Sequence, residues 1–359
     1  MKAIVLASSL RTAGNFMPVL ESMRARGDEL ELAWVPLGGA VGEDPASLGF
    51  SSSHVSGART RADSFAYWQG IEDRLRQPLD LVLMDDMIHW PAQEMTALVR
   101  RQQRAPALVA FQHGLYQAWN RMNQEFLADY FLCFGRRHVH NFDPCHWPRV
   151  LPTGLAKLDR LEPQRSGSGG YILYVAQSAP DPSIIAPMLA DLQQKTGLPV
   201  HIRPHPGHAA RYSALESQFV FVAAAEDIVG QIARADWILT THSSAVLEAM
   251  RMGVPAVLLP SFGLTDFGLF PGIAVDFLAE KVLSALNVHR NDAAGRQRFL
   301  AEHCGGMRRD SSARTLDAID AIVTCGGDAS ARRELVASMG AEHPLNAIAA
   351  WNCGTGGEA

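Results

Sequence analysis

Short, uninterrupted apolar runs alternate with stretches of helical spacing along most of this 359-residue chain, and that alternation leaves few folds open. In the first half the runs fall at 3–7, 30–35, 81–84, 107–111, 130–134 and 150–151; helical spacing covers 16–26, 64–77 and 92–103. A strand that is apolar on both faces belongs inside a parallel sheet, because crossover helices cover both sides of such a sheet. Strand and helix in turn predict right-handed crossover units and a doubly wound α/β sheet. Residues 163–170 are small, polar and glycine-rich, as flexible connectors are. Beyond them the alternation restarts, with strands expected at 171–176, 200–203, 219–223, 237–240 and 256–259 and helices at 183–195, 227–235 and 245–252. Residues 276–337 read as mostly helical and 341–359 as irregular. The expectation is two Rossmann-like domains, 1–162 and 171–359, joined by a linker at 163–170. The second would carry a helical C-terminal extension, and the ligand site would lie in a cleft between the two.

Composition removes several classes of function. Lys and Arg number 32 against 37 Asp and Glu, a net charge of -5. A dedicated nucleic-acid binder carries a basic excess, so no nucleic-acid partner is expected. No apolar run approaches the roughly 20 residues of a membrane helix, and the opening apolar stretch is too short for the core of a signal peptide. The five cysteines are scattered, with no CxxC pair, which argues against a disulfide framework or a zinc ribbon. A reduced, cytoplasmic protein is expected.

The densest chemical signal is Asp236-Trp237-Ile238-Leu239-Thr240-Thr241-His242-Ser243-Ser244-Ala245-Val246-Leu247-Glu248. A buried strand runs out at Thr240 and a helix begins near Ser244. A helix start offers unpaired N–H groups and a partial positive charge, both suited to phosphate, and two hydroxyls add donors. Glu248, four residues beyond Ser244, lies on the same helix face and could accept from ribose hydroxyls. Ser243 or Ser244 could equally be an N-cap, or do both jobs. The second signal is Val200-His201-Ile202-Arg203-Pro204-His205-Pro206, where prolines stop the strand. Arg203 and His205 then stand at the carboxyl end of a strand, where open α/β sheets bind ligands, and both carry donors for a phosphate. Neither a GxxxxGK[ST] P-loop, nor a GxGxxG turn after a strand, nor a GxSxG nucleophile elbow occurs. His138, His140, Cys145 and His146 cluster in sequence, but their spacing fits no standard zinc pattern, and no metal is expected.

On these residues the chain resembles the GT-B glycosyltransferases of bacterial surface-polysaccharide synthesis. These include capsule sialyl- and Kdo-transferase-like enzymes and the CDP-glycerol glycerophosphotransferases of teichoic acid synthesis. Such enzymes carry a His-Pro motif after one strand and a Ser-Ser motif at a helix start, here His205-Pro206 and Ser243-Ser244. Phe111-Gln112-His113-Gly114 is similar to their His-Gly element, and the segment from Leu151 to Asp159 to the one that closes their first domain. The resemblance covers about residues 107–266. It implies the GT-B fold, two Rossmann-like domains facing a central cleft, and a donor site of Arg203, His205, Pro206, His242, Ser243, Ser244, Glu248 and Gly154. It further implies transfer from a CMP-, CDP- or UDP-linked sugar or polyol donor to a saccharide or lipid-linked acceptor, without metal or cofactor. Fixed donors and a helix dipole would stabilise the departing phosphate. An acceptor hydroxyl needs a base, for which His113, Asp86 and Asp85 stand at carboxyl ends of first-domain strands. Polymers of this kind are made at the inner membrane face, so peripheral attachment there is part of the expectation. The chain is also similar to non-hydrolysing UDP-N-acetylglucosamine 2-epimerases at residues 11–20, 120–129 and Thr153-Gly154, although those enzymes carry Ser-Gly-Gly where this chain has Ser243-Ser244. A third reading is a catalytically inactive scaffold of the same fold.

Overall fold

The computed structural model describes residues 1–8, 10–35, 52–54, 65–85, 90–114, 126–162, 169–205, 208–223, 227–241, 243–260, 270–306, 308–325 and 329–339. The chain forms two compact units, Met1–Asp159 together with His303–Ala359, and Arg160–Glu302.

In the first unit the order is β1 (Lys2–Ala7), α1 (Leu10–Ala25), β2 (Glu29–Trp34), β3 (Ser52–His54), α2 (Phe65–Leu75), β4 (Leu81–Met84), α3 (Trp90–Arg100), β5 (Ala107–Phe111), β6 (Tyr130–Cys133), α4 (Arg136–Val139) and β7 (Val150–Pro152). The strands form one parallel sheet in the order β3-β2-β1-β4-β5-β6-β7. Both faces are covered, as the apolar runs require. Along β1, Ala3, Val5 and Ala7 join the core under α1, while Ile4 and Leu6 join the core under α2 and α3. This period of two is the alternation of side chains across a strand. The strand order reverses between β1 and β4, which sets a crevice at their carboxyl ends.

The second unit holds β8 (Ile172–Val175), α5 (Pro182–Thr196), β9 (Val200–Arg203), α6 (Ala209–Tyr212), β10 (Val220–Phe221), α7 (Ile228–Arg234), β11 (Trp237–Thr240), α8 (Ala245–Met252), β12 (Ala256–Leu258), α9 (Ala279–Asn291) and most of α10 (Ala293–Cys304). Its parallel sheet runs β10-β9-β8-β11-β12, with the reversal between β8 and β11. The helices end and begin on ordinary signals. Asp181 caps α5 by accepting from the Ser183 amide, Asp227 caps α7 through the Val229 and Gly230 amides, and Gly197 closes α5 in a left-handed conformation.

The domain boundary differs from the expected 1–162 and 171–359. The C-terminal helices α11 (Ser311–Cys325) and α12 (Ala329–Ser338) do not extend the second unit; they complete the first. Ala318, Ile319, Ile322, Leu335 and Val336 enter the same core as Val5, Phe16 and Leu20. Asp159 then caps α11 from a distance in sequence. Its carboxylate accepts from the Ser311 amide (3.2 Å), the Ser312 amide (2.7 Å) and the Ser312 hydroxyl (2.8 Å). Asp159→Ala should lower unfolding stability by about 1–2 kcal/mol, the loss expected for a helix cap. A urea denaturation midpoint equal to that of the unsubstituted chain would show the cap to be idle. Of the expected linker, 163–168 lie outside the described residues.

Candidate functional site

In the second unit, two strand ends carry the polar side chains that the sequence singles out. Arg203 closes β9. Its guanidinium donates to the Gln231 side-chain oxygen (2.8 Å) and, at 3.4 Å, to the Ala223 carbonyl. Gln231 is buried on α7, and its own carbonyl accepts from the Tyr171 hydroxyl (2.6 Å). A buried carboxamide thus holds the half-buried Arg203 at the strand end. His205 follows in the next turn, half-buried, its carbonyl accepting from the His208 amide at 2.8 Å and its ring 5.4 Å from that of His208. Pro206 and His242 lie outside the described residues.

The turn from β11 to α8 separates the two serines by role. The Ser243 hydroxyl accepts from the Ala245 amide (3.2 Å) and so acts as the cap. Ser244, in helical conformation at the N-cap position, makes no side-chain capping bond. Among the described residues the Ser244 hydroxyl is therefore uncommitted at a helix start. Two threonines pin this turn to the turn after β8: the Thr240 hydroxyl donates to the Val175 carbonyl (2.9 Å) and Thr241 to the Ala179 carbonyl (3.2 Å). Glu248, one turn into α8, is buried at 4% exposure, as is Arg251 at 1%. Because β9 and β11 flank β8, the ends of β9 and β11 stand two strand spacings apart, about 10 Å.

In the first unit, β5 ends in Phe111-Gln112-His113-Gly114, and this segment is held by side-chain amides. Asn15 of α1 donates to the His113 carbonyl (2.8 Å), and Gln112 donates to the Gly114 carbonyl (2.6 Å). The Gln112 oxygen accepts from the Phe134 amide (2.8 Å), tying the segment to the end of β6. His113 is half-buried. Asp85 stands at the β1/β4 reversal, but it is buried and engaged: it accepts from the Ser8 amide (2.6 Å), the Ser8 hydroxyl (2.7 Å) and the Thr12 hydroxyl (2.5 Å). Those three donors engage its carboxylate, which fastens the β1–α1 turn to β4. Asp86 lies outside the described residues. Gly154, at φ +102, is pressed against α11, and a Cβ there would stand 2.6 Å from that of Ser311. Its glycine character is thus explained by packing inside the first unit. Asn15 and Gln231 were not flagged by sequence, and Gln112, Thr240 and Thr241 stood in the quoted segments without these roles; no local motif marks a residue that acts through another segment's backbone.

His138, His140, Cys145 and His146 face different surroundings. His138 is fully buried, its ring 5.1 Å from that of His303; His140 packs edge-on to Trp147; His146 stacks on Phe126 and bonds Arg149; Cys145 is exposed. Among the described residues no three His, Cys, Asp or Glu side chains gather as ligands, and no helix is long and apolar enough to cross a membrane.

No protein-family profile matches the chain, and no curated protein matches it in sequence. Solved structures do match its fold. The MnaA–UDP co-structure from S. aureus superposes with a TM-score of 0.64 at 14% identity, covering 91% of this chain and 98% of that one. UDP-N-acetylglucosamine 2-epimerase from Rickettsia bellii gives 0.61 at 14%, covering 91% and 97%. The wall teichoic acid polymerase TagF, in a variant soaked with CDPG, gives 0.58 at 14%, covering 91% and 89%. The chain thus consists of two parallel-sheet α/β domains of the GT-B, Rossmann-like type.

Proposed function

We propose that the chain is a metal-independent transferase that moves a sugar or polyol phosphate from a pyrimidine-nucleotide donor to a surface-polysaccharide or lipid-linked acceptor. The observation that carries this reading is the split between Ser243 and Ser244. Capping is done by Ser243, which leaves the Ser244 hydroxyl at a helix start two strand spacings from the β9 end that bears Arg203 and His205. A donor phosphate held between those strand ends would meet a guanidinium, an imidazole and a helix N-terminus. Glu248 belongs to the proposed donor site on its spacing from Ser244, and Pro206, His242 and Gly154 on the family resemblance. His113 is the proposed base for the acceptor hydroxyl. It is preferred to Asp85, whose carboxylate is taken up by Ser8 and Thr12. Neighbours that bind UDP and CDPG support a pyrimidine-nucleotide donor. A cytoplasmic location, with peripheral attachment at the inner membrane face, belongs to the same proposal.

The test is a thermal-shift panel of CMP, CDP and UDP at millimolar concentration, run with and without EDTA. A nucleotide that binds the folded state raises the melting temperature by mass action. A shift that survives EDTA is expected; a flat panel removes the donor site, and a shift abolished by chelation removes the metal-free mechanism. The second reading, a 2-epimerase-like enzyme, draws on the epimerase among the fold neighbours. Interconversion of UDP-sugars with no acceptor present would favour it over transfer.

A further inference from the structure

A small cavity adjoins the His113 segment within the first unit, with about 10 Å³ of free space, and Asn15, Phe111, Gln112, Gly154 and Thr315 are among its lining residues. That is room for one oxygen atom and its hydrogens, not for a sugar ring. Asn15 is 4% exposed. Its nitrogen donates to the His113 carbonyl, which can only accept, so the orientation of the carboxamide is fixed. Its Oδ1 is then left as a buried acceptor with no partner among the described residues. Buried acceptors are almost always satisfied, and an unmet one is costly. Thr315, on α11 and buried at 2% exposure, also lines this cavity.

We infer that this cavity is a single-oxygen subsite. It takes one O–H donor onto Asn15 Oδ1, either a water or one hydroxyl of a polyhydroxyl ligand. Asn15 therefore has two roles at once: its nitrogen positions the backbone of His113, and its oxygen receives the donor. Gln112 is a second positioning residue, since it holds the next carbonyl of the same segment and both its amide groups are committed. Only the identity of a ligand hydroxyl as the acceptor's rests on the transferase reading; the subsite and the positioning role do not.

The test uses the full chain. A crystal structure that resolves ordered water should show density within about 3.0 Å of Asn15 Oδ1. A parallel crystal soaked in glycerol, as a polyhydroxyl probe, distinguishes water from a ligand hydroxyl at that position. In Asn15→Leu the density should vanish, and the backbone NMR resonances of His113 and Gly114 should move. Asn15→Asp separates the roles: it keeps an acceptor for the O–H donor but loses the donor to His113, so the density should stay while those resonances move. Should Asn15→Leu fail to fold, Thr315→Val provides the second wall variant and should weaken the same density. With a saccharide acceptor, Asn15→Leu should raise KM for acceptor about 2- to 10-fold, the worth of one neutral hydrogen bond, and leave nucleotide affinity unchanged. A dry cavity in the unsubstituted chain overturns the subsite, and unmoved His113 and Gly114 backbone resonances in both Asn15 variants overturn the positioning role. Failure of every nucleotide to bind would instead count against the transferase reading and leave these two readouts standing.

Discussion

Replacing His113 with alanine is expected to lower turnover about 100- to 10,000-fold, the usual cost of losing a general base, while nucleotide affinity stays nearly intact. His205→Ala should behave differently. His205 sits one turn beyond β9 in the unit that carries the proposed phosphate cradle, so its loss removes a hydrogen bond to a charged group. That is worth about 1.5–3 kcal/mol, or roughly 10- to 150-fold in affinity. A nucleotide titration run beside a rate assay separates the two variants. If His113→Ala loses nucleotide as badly as His205→Ala does, His113 is a phosphate ligand and the base lies elsewhere. Asp86 would then be the next candidate, because Asp85 is already bound by three donors.

Mild acid should destabilise the protein well before its carboxylates titrate. His289 on α9 is buried against Phe270. Burial first, and then the charges of Arg296 and Arg290, push its proton affinity down from 6.5 to about 4. In the window between those values the unfolded chain takes up a proton that the folded chain refuses. The contribution of His289 is therefore complete above about pH 6.5 and falls as the pH drops, by about 2 kcal/mol at pH 5 and about 3 kcal/mol below pH 4. His138, buried beside His303, is likewise held well below its ordinary value and acts in the same direction in the other unit. Urea unfolding at pH 7.5 and pH 5 measures the sum, and His289→Asn should flatten part of the slope. Equal stability at the two pH values would show that these imidazoles protonate freely in the folded protein.

Much of the architecture was legible because parallel strands are buried on both faces. The runs at 81–84, 107–111, 200–203 and 237–240 coincide with β4, β5, β9 and β11, and α8 spans the 245–252 expected after the Ser-Ser turn. β3, Ser52–His54, was missed: three polar residues at a sheet edge carry no apolar run. The destination of α11 was missed for a different reason. Periodicity says that Ala318, Ile319 and Ile322 share a buried face, but not which sheet that face meets. At the candidate site, residue types and strand ends were readable from sequence. The division of labour between Ser243 and Ser244 and the engagement of Asp85 were not, because each is decided by hydrogen-bond geometry rather than by composition.

The return of α11 to the first unit has a consequence for synthesis on the ribosome. The first 159 residues emerge with their β-strands complete, yet the α1 side of that sheet still lacks Ala318, Ile319 and Ile322. At about 5–20 residues per second, the roughly 140 residues up to His303 take some 7 to 30 seconds to appear. During that interval the nascent first unit carries an uncovered apolar face that Ala318, Ile319 and Ile322 of α11 later close, and that exposed face is the surface a chaperone would hold.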